Sequence, residues 1–243
     1  MDELLAHAQA RLGAARKDAE TKRRSPSTLE EAIGDAMAAA SWVSDEQVAE
    51  YERTRERQRR TDRLLDSGVA EVLTPEMVEA LVSDTIDVTE ALAWTKKWVA
   101  YQHAPSRAKG PRPMLALVGA MGRGKTVAGA WLVLHAGARY IEADEVCRLA
   151  AAKFGPEVEE WKRLQRARAL VIDEVGTEEN TGQAAAAYRV LLNRRQGECL
   201  TLLLGNISRA DLKARLDART WNRMCERALV VELEGESMRR GEP

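Results

Sequence analysis

The sequence predicts an α/β fold: a five-stranded parallel sheet with helices on both faces, preceded by an all-helical N-terminal region. Three observations predict it. Five short apolar runs follow residue 113, at 114–118, 138–141, 169–172, 200–204 and 228–233, with helical stretches between them. Strands joined by helical crossovers pair in parallel, and near-continuous apolar runs suit strands covered on both faces. Before residue 104 the pattern is helical, with no convincing strand. Between the two lies Ala104-Pro105-Ser106-Arg107-Ala108-Lys109-Gly110-Pro111-Arg112-Pro113, where three prolines and a glycine in ten residues stop any helix. The expected organisation is a helical region at 1–104, a linker at 105–113 and an α/β domain at 114–243.

In chain order, the helical region carries two capping-box patterns, Ser27-x-x-Glu30 and Ser44-x-x-Gln47. In each, two side chains satisfy main-chain N–H groups that a helix start leaves orphaned. The stretch 45–66 is rich in helix formers and is closed by Gly68. Its apolar residues are few, Val48, Tyr51, Leu64 and Leu65, so it cannot bury a wide face alone. Its basic run at 53–63 reads as a solvated helix face, because Glu52, Glu56 and Asp62 lie among the arginines. Thr74-Pro75-Glu76 places a cap residue before proline at the first helical position. The next stretch, 88–103, holds Leu92, Trp94, Trp98, Val99 and Tyr101 and is expected to be better buried.

Composition narrows the classes. A formal net charge of −1 excludes a polycation, although a local basic stripe suffices for nucleic acid. Cys147, Cys199 and Cys225 are far apart and form no C-x-x-C, which argues against a zinc site or disulfide framework. No apolar run approaches the ~18 residues of a membrane span. The start Met1-Asp2-Glu3 is acidic and lacks the apolar core of a signal peptide. The expectation is a cytoplasmic protein with no membrane partner.

The chemistry concentrates after the first strand. Gly119-Ala120-Met121-Gly122-Arg123-Gly124-Lys125-Thr126 fits G-x-x-x-x-G-K-[ST], directly after one expected strand and directly before a helix. Glycines let the backbone wrap around phosphates with N–H groups turned inward, and the helix N-terminus adds its positive end. Lys125 is expected to hold the β- and γ-phosphates, and the Thr126 hydroxyl to bind Mg²⁺.

Such a loop needs an acidic partner. Ala169-Leu170-Val171-Ile172-Asp173-Glu174 supplies one, with Asp173 at the carboxyl end of a buried strand, where ligands of parallel sheets bind. Asp173 is the expected magnesium ligand, direct or through water, and Glu174 the group that polarises the attacking water. The next strand ends in Gly205-Asn206. Asn206 is placed to touch the γ-phosphate or the lytic water; a turn that uses Asn for its backbone tolerance is the other reading.

These residues carry a family resemblance. The phosphate loop, the strand ending in Asp173-Glu174, the helix at 187–195, the strand Leu200-Thr201-Leu202-Leu203-Leu204-Gly205-Asn206 and the segment Asp217-Ala218-Arg219-Thr220-Trp221-Asn222-Arg223-Met224 follow the order of the DnaC-like and IstB-like ATPases. The tail at 230–239 resembles their closing strand and Gly-x-Ser-x-Arg ending, so the likeness spans about 112–240. It implies an AAA+ core that binds ATP with Mg²⁺ and forms homo-oligomers with shared sites. An arginine of one subunit then reaches the γ-phosphate of its neighbour. Arg219 and Arg223 are the candidates. Arg223 matches the family's Asp-Arg-hydrophobic pattern, although that Asp is Asn222 here. Gly205 stands where the family has Ser before the asparagine. The short remainder after the last strand implies no full C-terminal lid.

The resemblance also implies partners. In loaders of this branch, helices before the acidic strand contribute to single-stranded DNA binding. The matching segment, 144–168, holds Arg148, Lys153, Lys162, Arg163, Arg166 and Arg168 with Phe154 and Trp161. Basic residues with interleaved aromatics suit single strands. Asp144, Glu145, Glu157, Glu159 and Glu160 leave an ordinary solvated helix pair equally open. A replicative helicase loader, whose region 1–104 grips a hexameric DNA helicase, is the leading reading. A transposition helper that binds duplex DNA and a transposase shares the same core. A nucleotide-gated scaffold without turnover is a third reading, opposed by the presence of Lys125, Asp173 and Glu174.

Overall fold

The computed structural model describes residues 44–103, 112–178, 181–194 and 199–234. The Ser27-x-x-Glu30 pattern, most of the proline-rich linker and the Gly-x-Ser-x-Arg ending lie outside them. Compactness divides the chain into two units, 1–59 and 60–243.

The described part of the first unit belongs to α1 (Asp45–Asp66), which continues into the second. Gln47 N donates to Ser44 Oγ at 3.2 Å and Ser44 N to Gln47 Oε1 at 3.0 Å, so the expected capping box forms.

In the second unit a short 3₁₀ turn, Val69–Val72, leads to α2 (Pro75–Val82) and α3 (Glu90–His103). Then come β1 (Met114–Gly119), α4 (Lys125–Ala136), β2 (Arg139–Glu142), α5 (Ala143–Ala151), α6 (Pro156–Arg166) and β3 (Ala169–Val175). The chain continues through α7 (Thr181–Arg194), β4 (Leu200–Gly205), α8 (Arg209–Arg215), α9 (Ala218–Arg227) and β5 (Ala228–Leu233). All strand pairs are parallel, in the order β2-β3-β4-β1-β5. β1 is therefore flanked by β4 and β5; the chain leaves β1 for β2 on one side and leaves β4 for β5 on the other. That is a switch point, where crevices open at the carboxyl ends of strands.

Alternate strand residues build the two cores, as period-two geometry requires. Met114, Ala116 and Val118 of β1, Leu170 and Ile172 of β3, and Leu203 of β4 meet α5 to α9 on one face. Leu115, Leu117, Val171, Leu202 and Leu204 meet α4 on the other, with Leu81, Leu92 and Trp98 from the helices before the sheet. Each fully buried leucine contributes roughly 1.5–3 kcal/mol relative to exposure. Thr74 caps α2 as expected, accepting from Met77 N at 3.4 Å.

The helices before β1 are fastened to this unit by polar contacts as well. Trp98 Nε1 and Gln102 Nε2 both donate to Arg112 O, at 2.8 and 2.7 Å, and so aim the chain into β1. Two arginines of the run at 53–63 also reach partners outside their own helix. Arg60 binds both oxygens of Asp84, at 2.7 and 2.8 Å, and Leu81 O at 2.8 Å. Arg63 donates to Leu134 O at 2.5 Å, placing a cation on the negative last turn of α4. These partners lie far along the chain, which is why the helix pattern alone did not indicate them.

Candidate nucleotide site

The loop at 119–126 joins the end of β1 to the start of α4, at the carboxyl edge of the sheet. Two of its glycines meet conformational and steric demands together. Gly119 has φ +130°, and a Cβ there would lie 2.6 Å from Leu233 O. Gly124 has φ +71°, and a Cβ there would lie 2.7 Å from the Thr89 side chain. Ala120 and Met121 form the exposed tip of the loop. Gly122 is also left-handed, and Arg123 donates to Glu234 O at 3.2 Å.

Lys125 is 6% exposed. Its Nζ donates to Gly119 O at 2.8 Å and Ala120 O at 2.7 Å, so the ammonium sits inside the loop's own curve. Burial lowers its pKa, and the nearby Asp173 and Glu174 oppose that shift. The next residue reaches the acidic strand: Thr126 Oγ1 donates to Asp173 Oδ2 at 2.9 Å. Asp173 is buried, and its other oxygen accepts from Glu174 N at 2.7 Å. Asp173 Oδ2 also accepts from Tyr140 Oη of β2 at 3.0 Å.

Glu174 is half-buried and sits at φ +57°, a left-handed conformation that is unusual outside glycine. Burial, and then the adjacent Asp173, push its pKa up. Asn206 Nδ2 donates to Glu174 Oε2 at 3.0 Å. Lys125, Thr126, Asp173, Glu174 and Asn206 thus converge on one edge of the sheet, from the start of α4, β3 and the end of β4.

The two arginines lie elsewhere. Arg223 donates to Asn193 Oδ1 and lines a cavity of about 280 Å³ with Met114, the first residue of β1. That is the opposite end of β1 from the phosphate loop, roughly 15–20 Å away at strand rise. Arg219 is exposed in the first turn of α9.

In the segment between β2 and β3, several cations already have carboxylate partners. Arg148 pairs with Glu145 and Glu157 at 2.6 and 3.6 Å, Lys162 with Glu159 at 2.7 Å, and Arg163 with Glu160 at 3.4 Å. Trp161 is half-buried against the core. Phe154, in the loop joining α5 to α6 beside the exposed Lys153, is 86% exposed.

Two further contacts were not legible in the sequence. Tyr140 touches Asp173 only because β2 pairs with β3, and a tyrosine in a short strand gives no local signal of that. Thr89 touches Gly124 because it starts α3, accepting from Leu92 N at 3.1 Å, beside the phosphate loop.

The oxygen donors Thr126 and Asp173 suit magnesium, which takes one or two protein oxygens and keeps water and phosphate oxygens for the rest. Among the described residues no group of three or more His, Cys, Asp or Glu side chains is arranged for a metal. Among them, too, no helix is long and apolar enough to cross a membrane.

No protein-family model matches the chain, and no curated protein matches it. Solved structures do. One is the crystal structure of DnaI, with a TM-score of 0.51 and 20% identity over 66% of this chain and 94% of that one. Another is the DnaC helicase loader, at 0.49 and 19% over 66% and 100%. AMPPCP-bound DnaA from Aquifex aeolicus matches at 0.45 and 17% over 62% and 49%. With its five parallel strands and flanking helices, the chain has the fold of DnaI.

Proposed function

We propose that this protein is an ATP-hydrolysing AAA+ helicase loader, coupling nucleotide state to its grip on a hexameric replicative DNA helicase and single-stranded DNA. The observation that carries the reading is the 2.9 Å contact between Thr126 and Asp173, which joins the phosphate loop to the acidic strand tip.

In this reading the loop amides of residues 119–126 and Lys125 bind the triphosphate of ATP. Thr126 and Asp173 hold magnesium, which when bound neutralises charge on the phosphate oxygens. Glu174 orients and deprotonates the attacking water, and Asn206 orients Glu174. The raised pKa of Glu174 suits a base better than an ordinary surface carboxylate would. Arg223, or Arg219 in its place, reaches the site of a neighbouring copy; Arg223 lies at the opposite end of β1 from its own phosphate loop.

Two observations support the loader half. The resemblance in the helix at 187–195 and in the Arg219-x-x-x-Arg223 helix points to this branch of AAA+ proteins. The exposed Phe154 beside Lys153 offers a base-stacking contact for single-stranded DNA. The region 1–104 supplies the helicase contact.

The test uses the full chain. ATP turnover is measured with and without single-stranded DNA, and co-migration is measured with the purified replicative helicase of the same organism. Stimulated turnover and a nucleotide-dependent complex are expected. Binding to duplex DNA and to a transposase, with none to the helicase, would replace this reading with the transposition helper. ATP binding without turnover under any condition would leave a nucleotide-gated scaffold.

A further inference from the structure

Glu178 is a buried carboxylate that the nucleotide site does not use; its side chain is 2% exposed. A charge taken out of water costs several kcal/mol unless it is paired and hydrogen-bonded. The groups that hold this one come from three places. Gly176 N donates to Oε2 at 2.9 Å from the loop after β3. Tyr188 Oη of α7 donates to Oε1. Arg215, the last residue of α8, donates to Oε2 at 3.2 Å and reaches Glu178 O at 3.5 Å.

The loop held in this way is the one that follows Glu174. Thr177 Oγ1 and N both donate to Glu174 O, at 2.8 and 3.2 Å. Gly176 has φ +109°, and a Cβ there would lie 2.4 Å from Ile207 Cγ2. A Cβ on Gly205 would lie 2.7 Å from Val175 O. Val175-Gly176 and Gly205-Ile207 are therefore pressed together on either side of the Glu174–Asn206 hydrogen bond. Glu174 itself occupies a left-handed backbone conformation that persists only where its surroundings over-determine it.

We infer that Glu178, with Tyr188 and Arg215, is a positioning network that holds Glu174 in this conformation and against Asn206. Catalytic groups need support of this kind, because a misplacement of about 1 Å can cost a hundredfold in rate. The inference rests on the reading of Glu174 as the water-orienting group.

The test compares Glu178→Gln, Arg215→Ala and their double variant in the full chain, well below their melting temperatures. Each is expected to lower kcat about tenfold or more while the ATP dissociation constant stays within about twofold of the parent. The double variant should fall little further than either single one, because both break one network. A carboxylate that only stabilises the fold would lower the melting temperature and leave kcat at the parent value; that result overturns the proposal. So does a parallel loss of ATP affinity. If Glu178→Gln does not fold, Tyr188→Phe removes one hydroxyl from the same carboxylate and is read the same way. Glu174→Gln is measured alongside. If it hydrolyses ATP normally, the role of Glu174 is wrong whatever Glu178 does. If it is inactive while Glu178→Gln and Tyr188→Phe turn over at the parent rate, only the network is wrong.

Discussion

Lys125 keeps its charge buried by donating to two carbonyls of its own loop. A bound triphosphate would take these donors over. Lys125→Ala should therefore weaken ATP binding by about 10- to 100-fold, the worth of a charge-assisted hydrogen bond, read by titration with a fluorescent ATP analogue. Unchanged affinity would refute the phosphate-loop reading. Gly119 has no room for a methyl group, since Leu233 O blocks it and its φ is positive. Gly119→Ala should cost about 1–3 kcal/mol of stability, visible in a denaturant melt. Glu174 has a raised pKa, and as a base it acts only when ionised. Turnover should accordingly be complete at neutral pH. It should fall as pH drops through a value above the ordinary carboxylate figure of about 4.3. Glu174→Gln should bind ATP and stop turnover.

At the scale of elements, the strands were the most legible part. All five runs are strands; β1, β3 and β4 are apolar nearly throughout because both their faces are covered, whereas the edge strands β2 and β5 are only partly buried. β3 extends past its apolar run through Asp173 and Glu174 to Val175, because the ladder to β4 resumes there after an irregularity. The caps at Ser44 and Thr74 were legible for a local reason, since each pairs groups within three residues. The clamp of α3 on Arg112 O was not legible, because its donors act across 14 and 10 residues of chain. Trp98→Phe should lose about 1 kcal/mol through the indole hydrogen bond and keep the fold, with Gln102 still in place. Circular dichroism with a melting curve checks both halves of that statement.

For the whole molecule, the placement of Arg223 across the sheet from the phosphate loop makes a shared site the natural arrangement. Mixing Arg223→Ala with Lys125→Ala subunits should restore part of the ATPase activity that each lacks alone, because every second interface would pair an intact loop with an intact arginine. No recovery at any mixing ratio would count against a shared site. If Arg219 is the finger instead, Arg219→Ala complements and Arg223→Ala keeps its activity alone.

Residue order by itself determined the five strands, the glycine-rich loop at 119–126, and Asp173 and Glu174 at a strand tip. Each is a local pattern, written in a few consecutive residues whose φ preferences, polarity and spacing suffice. Only the tertiary structure decided which side chains surround them. Tyr140 meets Asp173 across 33 residues and Arg215 meets Glu178 across 37. Such encounters depend on strand order and helix packing, which bring distant residues together without leaving a mark in the sequence near either one.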